Sequence, residues 1–226
     1  MEWLKGFLQL IFPRLCLVCG GKLYKNEQFL CMNCLVHMPK PGFNSTEATE
    51  IFYGRVLIEK AFSYFEFRRG SNYQKIVYHL KYKGQKKVGE FLGERFGTEL
   101  KKAGMFPEVD FLCPVPLYPS KEKKRGYNQS YQIALGLSKA LQIPVLKDNL
   151  IRKKNTASQT RKHRYERWKN MEGMFGVVDT KQFEGKHIVL VDDVLTTGAT
   201  LEACATAILK ECQAKISIIT LAITKE

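Results

Sequence analysis

Two adjacent carboxylates, Asp192 and Asp193, follow the apolar run Ile188-Val189-Leu190-Val191 and precede the small-residue turn Thr196-Thr197-Gly198-Ala199-Thr200. Backbone N–H groups across such a turn can converge on one phosphate, and a helix starting behind them adds positive potential. Gly198 lets the backbone approach closely, and the threonine hydroxyls supply further donors. Carboxylates repel a phosphate, so the acidic pair suits neutral hydroxyl donors, a ribose 2′-OH and 3′-OH, or a hydrated Mg²⁺. The two halves together fit a ribose 5-phosphate. Helix capping alone would need one such residue, not two acids followed by an anion nest.

A second constellation lies near the N-terminus. Cys16-Leu-Val-Cys19 and Cys31-Met-Asn-Cys34 are two C-x-x-C pairs separated by a short polar, glycine-containing stretch. Each pair can place two thiolates on one ion at about 2.3 Å, and two pairs complete a tetrahedral Cys₄ zinc site. Four thiolates leave no open coordination position, so the expected zinc is structural. Disulfides are the alternative, but they suit a small secreted domain, and no secretion signal precedes these cysteines. Cys113, Cys204 and Cys212 show no pairing pattern and read as small core residues.

The third signal is charge. With 36 Lys and Arg against 22 Asp and Glu, the formal net charge is +14, more than one small anionic ligand requires. Residues 152–169 concentrate cations and include two large aromatic rings. Arg161, Lys162, Arg164 and Arg167 can neutralise backbone phosphates while Tyr165 or Trp168 stacks on a base, a pattern that suits a single-stranded nucleic acid. A solvated basic loop is the plainer alternative.

These groups need a scaffold. The run 186–191 predicts a buried strand that ends at the acidic pair, and Thr200 onward has the apolar spacing of a helix. Val56–Phe67 reads as a pair of strands, Tyr73–Tyr82 and Lys87–Ala103 as helices broken at Gly84. Phe111–Pro116 reads as a strand entering a rigid loop between two prolines, and Gln129–Leu141 as a helix. Extended segments are expected at Pro144–Leu146, Gly176–Val178 and Lys215–Ile223. Alternating helices and apolar strands imply an α/β fold with a mostly parallel central sheet flanked by helices. Pro39–Glu50 has a linker's composition, so the expected division is 1–40 (helix and cysteine module), 41–50 (linker) and 51–226 (main domain). Met1–Phe12 is apolar with helical spacing. It predicts a helix docked on the main domain, with peripheral membrane contact as the alternative.

The block Val191–Thr200 resembles the phosphoribosyl pyrophosphate (PRPP) loop of type I phosphoribosyltransferases. That resemblance implies Asp192 and Asp193 on the ribose and Thr196, Thr197, Gly198, Ala199 and Thr200 around the 5-phosphate, with Mg²⁺ accompanying PRPP. The 6-oxopurine salvage enzymes of that class carry an Asp where Thr196 stands, so hypoxanthine or guanine salvage is not expected. Pro114-Val-Pro-Leu, Lys124-Arg-Gly-Tyr-Asn-Gln129, Gln159 with Arg167 and Asn170, and His79-Leu-Lys-Tyr-Lys-Gly84 extend the resemblance. Together with the Cys₄ zinc-ribbon module they are similar in order to the ComF (ComFC) family of late competence proteins. The resemblance implies a type I phosphoribosyltransferase-like fold, single-stranded DNA as a partner and a role in DNA uptake during natural transformation beside a ComFA-like helicase ATPase. It places the protein in the cytoplasm or at the inner membrane face. It also puts Arg125 beside the pyrophosphate and residues 152–169 where a catalytic loop would close. Two readings stay open: a PRPP- and DNA-binding coupling factor, or a working phosphoribosyltransferase with an unidentified nucleophile. No residue stands out as a general base.

Overall fold

The computed structural model describes residues 13–153 and 173–225. Its centre is a parallel sheet of four strands in the order β1 (Ala61–Arg68), β6 (Lys215–Lys225), β5 (His187–Leu195), β2 (Phe111–Pro114). Val145 extends the outer edge by one parallel bridge to Leu112. The central strands β5 and β6 are nearly continuous apolar runs because helices cover both faces. Val189 and Val191 join one core with Leu92, Phe96, Ile133 and Leu137, whereas Ile188 and Leu190 join another with Leu201, Cys204, Ala205 and Ile208.

The helices on the first face are α4 (Lys86–Lys102) and α6 (Gln129–Leu141). They cross with almost no side chain between them. A Cβ on Gly93 would lie 2.3 Å from the Ile133 carbonyl oxygen, and one on Gly136 would lie 2.1 Å from that of Glu90. Only glycine permits that approach, and it fixes where α6 begins, which matters for the site. On the other face α7 (Ala199–Glu211) packs with the small antiparallel pair β3 (Leu150–Arg152) and β4 (Phe175–Val177).

Before the sheet come α1 (Met32–Val36) in the cysteine module and α2 (Glu47–Glu50). The module packs directly on the main domain. Its Val18, Leu23 and Leu30 share one core with Phe65, Phe67 and Ile76. Phe29 meets Phe91 edge-on at 5.5 Å. The segment of linker composition is also packed: Ala48 is buried, and Lys40 pairs with Glu99 at 2.7 Å. Between β1 and α4 runs α3 (Gln74–Tyr82), which leans on the module. The Tyr73 hydroxyl donates to the Cys34 carbonyl at 2.9 Å, and the Lys75 ammonium to that of Val18 at 3.3 Å.

Two local expectations differ from the structure. Val56–Phe67 contains one strand, β1, not two. Residues 52–56 turn back on themselves, with Val56 N–H donating to the Phe52 carbonyl at 3.2 Å, and the apolar Val56 and Ile58 pack on the core from that loop. The acidic pair does not follow the end of its strand. β5 continues to Leu195 because β6 still pairs with it there, Val194 opposite Ala222. What ends at Val191 is its other neighbour, since β2 stops at Pro114. The helices expected from Tyr73 and Lys87 begin at Gln74 and Lys86, and Gln129–Leu141 spans α6 as read. The expected docking helix over Met1–Phe12 lies outside the described residues.

Candidate sugar-phosphate and metal sites

Asp192 and Asp193 sit where β5 loses β2 as a neighbour, at the carboxyl edge where open α/β sheets present ligand sites. The Asp192 carboxylate accepts the Ser130 hydroxyl at 2.8 Å and the Asp193 backbone N–H at 2.8 Å. Burial and the adjacent charge of Asp193 together raise its pKa above the ordinary carboxylate range, against the pull of those two donors and of Lys81. Asp193 is held differently, by an ion pair to the Lys81 ammonium at 3.0 Å.

Ser130 stands in the first turn of α6, and the residues before it explain its placement. Asn128 caps that helix, its side-chain oxygen accepting Ser130 N–H at 2.9 Å, a cap worth about 1 kcal/mol. The Asn128 amide also donates to the Val115 carbonyl at 2.9 Å, and Val115 N–H donates to that of Val191 at 2.9 Å. The loop between the two prolines is therefore tied both to α6 and to β5. Tyr127 bonds the Leu80 carbonyl and anchors α3. Arg125, expected at the pyrophosphate, closes the short helix α5 (Pro119–Arg125), bonds the Gln129 side chain at 2.9 Å and lies over Tyr82.

The turn expected to hold a phosphate follows β5. Thr196 and Thr197 are exposed, Ala199 and Thr200 are half-buried, and α7 starts at Ala199. Gly198 is buried with φ +74, and a Cβ there would meet Ile51 at 2.9 Å and Phe52 at 3.0 Å. Two requirements converge on that residue, left-handed backbone and close packing. The first turn of α7 leaves its N–H groups without helical carbonyl partners, and they open toward the turn. Arg55 braces the loop by donating to the Thr197 carbonyl at 2.7 Å and to the Ile51 carbonyl at 2.9 Å, and it pairs with Glu202 of α7.

Sequence reading missed Ser130, Lys81's partner and Arg55. Ser130 directly follows Lys124–Gln129, so that block hinted at it. Nothing near Arg55 in the sequence did.

Cys16, Cys19, Cys31 and Cys34 come together with all four sulfurs within 4.8 Å of one another. The Cys19 and Cys31 sulfurs are 3.8 Å apart, and the edge of a tetrahedron with bonds of about 2.3 Å is about 3.8 Å. Backbone N–H groups of Cys31 and Gly21 donate to the Cys16 and Cys19 sulfurs at 3.4 Å each. Burial and the neighbouring sulfurs push Cys34 well up. Burial also pushes Cys16 up, but the N–H groups around it outweigh that and draw it below the ordinary thiol range. Such a cluster can hold a soft divalent cation, and its closed ligand set fits zinc.

Arg161, Lys162, Arg164, Tyr165, Arg167 and Trp168 lie outside the described residues. Among the described residues no helix is long and apolar enough to cross a membrane.

Residues 128–226 match the family model for the phosphoribosyl transferase domain. Among relatives, competence protein F of Haemophilus influenzae is 35% identical over 46% of this chain and 45% of its own length. Competence protein ComFC of Bacillus subtilis is 27% identical over 95% of this chain and 85% of its own. The DNA utilization protein YhgH of Escherichia coli O157:H7 is 26% identical over 63% of each. The chain thus spans less than half of the first relative, and most of the second.

Proposed function

We propose, from the premise that the chain belongs to the ComF (ComFC) family with its phosphoribosyltransferase-like fold, that it binds PRPP and single-stranded DNA and acts in competence-associated DNA uptake with a helicase-type ATPase partner. One observation carries the small-ligand half. A carboxylate pair and a helix-headed, glycine-sealed turn open side by side at one sheet edge. The acids take the ribose hydroxyls, and the N–H groups from Thr196 to Thr200 take the 5-phosphate. The donor set also fits hydrated Mg²⁺, which is bound through one or two carboxylates plus substrate phosphates. Asp192 and Asp193 are the residues that would hold it, and the ion would neutralise the charge of a pyrophosphate group. Arg125 and Lys81 supply positive charge on the neighbouring elements α5 and α3.

The DNA half rests on the net charge of +14 and on the basic segment of residues 152–169. Calorimetric titration with PRPP and Mg²⁺ tests the first half, and anisotropy of a labelled single strand across salt concentrations tests the second. Binding of PRPP that survives Asp192→Ala would count against the cradle. Affinity for DNA should fall with salt at a logarithmic slope of about −0.7 per neutralised phosphate, and steeply less so after loss of Arg161 and Arg164.

A second reading, glycosyl transfer from PRPP, is favoured by one feature: the intact Asp192–Asp193 pair beside the glycine-sealed turn, since PRPP binding is what that transfer requires. Release of pyrophosphate from PRPP with candidate nucleophiles, abolished by Asp192→Ala, would establish it. The helicase contact and attachment at the inner membrane face are proposals drawn from the family alone.

A further inference from the structure

Helix α3 turns Ile76 and Leu80 into the core and leaves Tyr78 and Tyr82 on its outer side, 49% and 65% exposed. One turn apart, the two rings lie 5.4 Å from each other at 43°. Each has a cation beside it: the Lys83 ammonium is 5.9 Å from the Tyr78 centroid, and the Arg125 guanidinium is 5.6 Å from that of Tyr82. The helix carries no acidic residue, and its Lys81 reaches Asp193 in the cradle. From Arg125 the strip continues along α5, about 10 Å long, to Tyr118 at its start, whose ring is capped by the Arg152 guanidinium at 3.8 Å. Arg152 is also the first cation of the basic segment.

Exposed rings interleaved with cations are what an unpaired strand requires. Bases stack on ring faces without sequence preference, and the cations meet the phosphates between them. A duplex hides its base faces, and a small ribose phosphate needs neither ring. We propose that Tyr78 and Tyr82, with Lys83 and Arg125, form a stacking platform for single-stranded DNA. This deepens the proposed DNA binding by naming a surface for it, and it rests on that reading.

Anisotropy of a labelled oligothymidylate tests it in the full-length, zinc-loaded protein. The double variant Tyr78→Ala/Tyr82→Ala should bind about tenfold or more weakly, since a base on an aromatic ring is worth roughly 1–3 kcal/mol. Tyr78→Phe/Tyr82→Phe, which keeps both rings, should bind like the parent. Unchanged zinc content and an unchanged thermal melting curve show that the alanine variant is folded. On an abasic strand of equal length the alanine substitutions should have no effect. Equal loss on the abasic strand, or parent-like affinity of the alanine variant for oligothymidylate, overturns the platform while leaving DNA binding by residues 152–169 intact. A parent protein that binds no single strand overturns both, and one that binds duplex as tightly as single strand overturns the stacking.

Discussion

The cysteine knuckle and the proposed sugar-phosphate cradle are built in opposite ways. All four knuckle ligands come from residues 16–34, and they present one kind of group, a thiol whose ionised form demands a cation. The cradle draws Lys81, Ser130 and Asp192–Asp193 from three elements, with Arg55 bracing it from a fourth segment. Its charges are already opposed, Lys81 to Asp193 and Arg55 to Glu202. A site made of like groups should fail all at once when its cation leaves. A site made of opposed pairs should fail by degrees as each pair is cut.

The largest effect is therefore expected at the knuckle. Cys34→Ser should lower bound metal from one zinc per chain toward none, measured by mass spectrometry of the purified protein. Structural zinc contributes about 10 kcal/mol or more in small metal-dependent modules. Because the module shares its core with Phe65, Phe67 and Ile76, thermal unfolding should move down for the whole domain. A zinc-free variant with the parent's melting curve would show that packing alone holds the module.

Gly136→Ala comes next. A Cβ placed 2.1 Å from the Glu90 carbonyl must push α4 and α6 apart, and backbone on the far side leaves no flexible end to yield. Overpacking of this kind costs about 3 kcal/mol, readable as a shift in the urea midpoint. Since α6 sets the position of Ser130, binding of PRPP should weaken in the same variant. A neutral result would mean the helices are looser than their contact implies.

The same contrast explains what could be read from the chain before folding. The gathering of the four cysteines was legible because they are local and of one type. The strand–turn–helix from Ile188 to Glu211 was legible for a related reason: buried β-branched residues, a small-residue turn and helical spacing follow one another. The strand's true end was not, because it depends on which neighbour continues beside it, and β6 lies in a later part of the chain. Val56 and Ile58 misled because a loop that packs on the core has the same apolar residues as a strand. Ser130 and Arg55 act on residues 62 and 142 positions away, and no local pattern carries such a pairing.

Asp192→Asn should abolish the cradle's grip on ribose hydroxyls and Mg²⁺ yet raise stability, with a definite pH dependence. In the unfolded chain the carboxyl titrates near its ordinary value of about 4. In the folded chain burial, followed by the charge of Asp193, raises it. Below both values the side chain is neutral folded or unfolded, so the parent and the asparagine variant should melt alike. As pH climbs from the unfolded value toward the folded one, the unfolded chain ionises while the folded chain keeps its proton, so the parent loses stability relative to the variant and levels off above the folded value. The melting difference should therefore open between mildly acidic and neutral pH. Ligand affinity of the parent should rise over the same interval, because the ligand selects the ionised form. Removing the Ser130 hydroxyl (Ser130→Ala) takes away a donor that favours ionisation and should move that rise to higher pH.

The smallest effect belongs to Arg55, which touches neither sugar nor phosphate and works by holding the turn. Arg55→Ala removes the bonds to the Thr197 and Ile51 carbonyls and leaves Glu202, in the first turn of α7, without its partner. Glu202 is then an unopposed negative charge close to the N–H groups that would receive a phosphate, so it competes with the ligand. The pair is partly open to solvent, which limits the loss to about 1 kcal/mol, roughly fivefold in affinity. The comparison sharpens with a second substitution. Arg55→Ala combined with Glu202→Gln should recover most of the affinity if the unopposed charge is responsible, and none of it if the lost tether to Thr197 is. Titration of PRPP against the single and double variants at two salt concentrations separates the two, since only the charge effect shrinks with added salt.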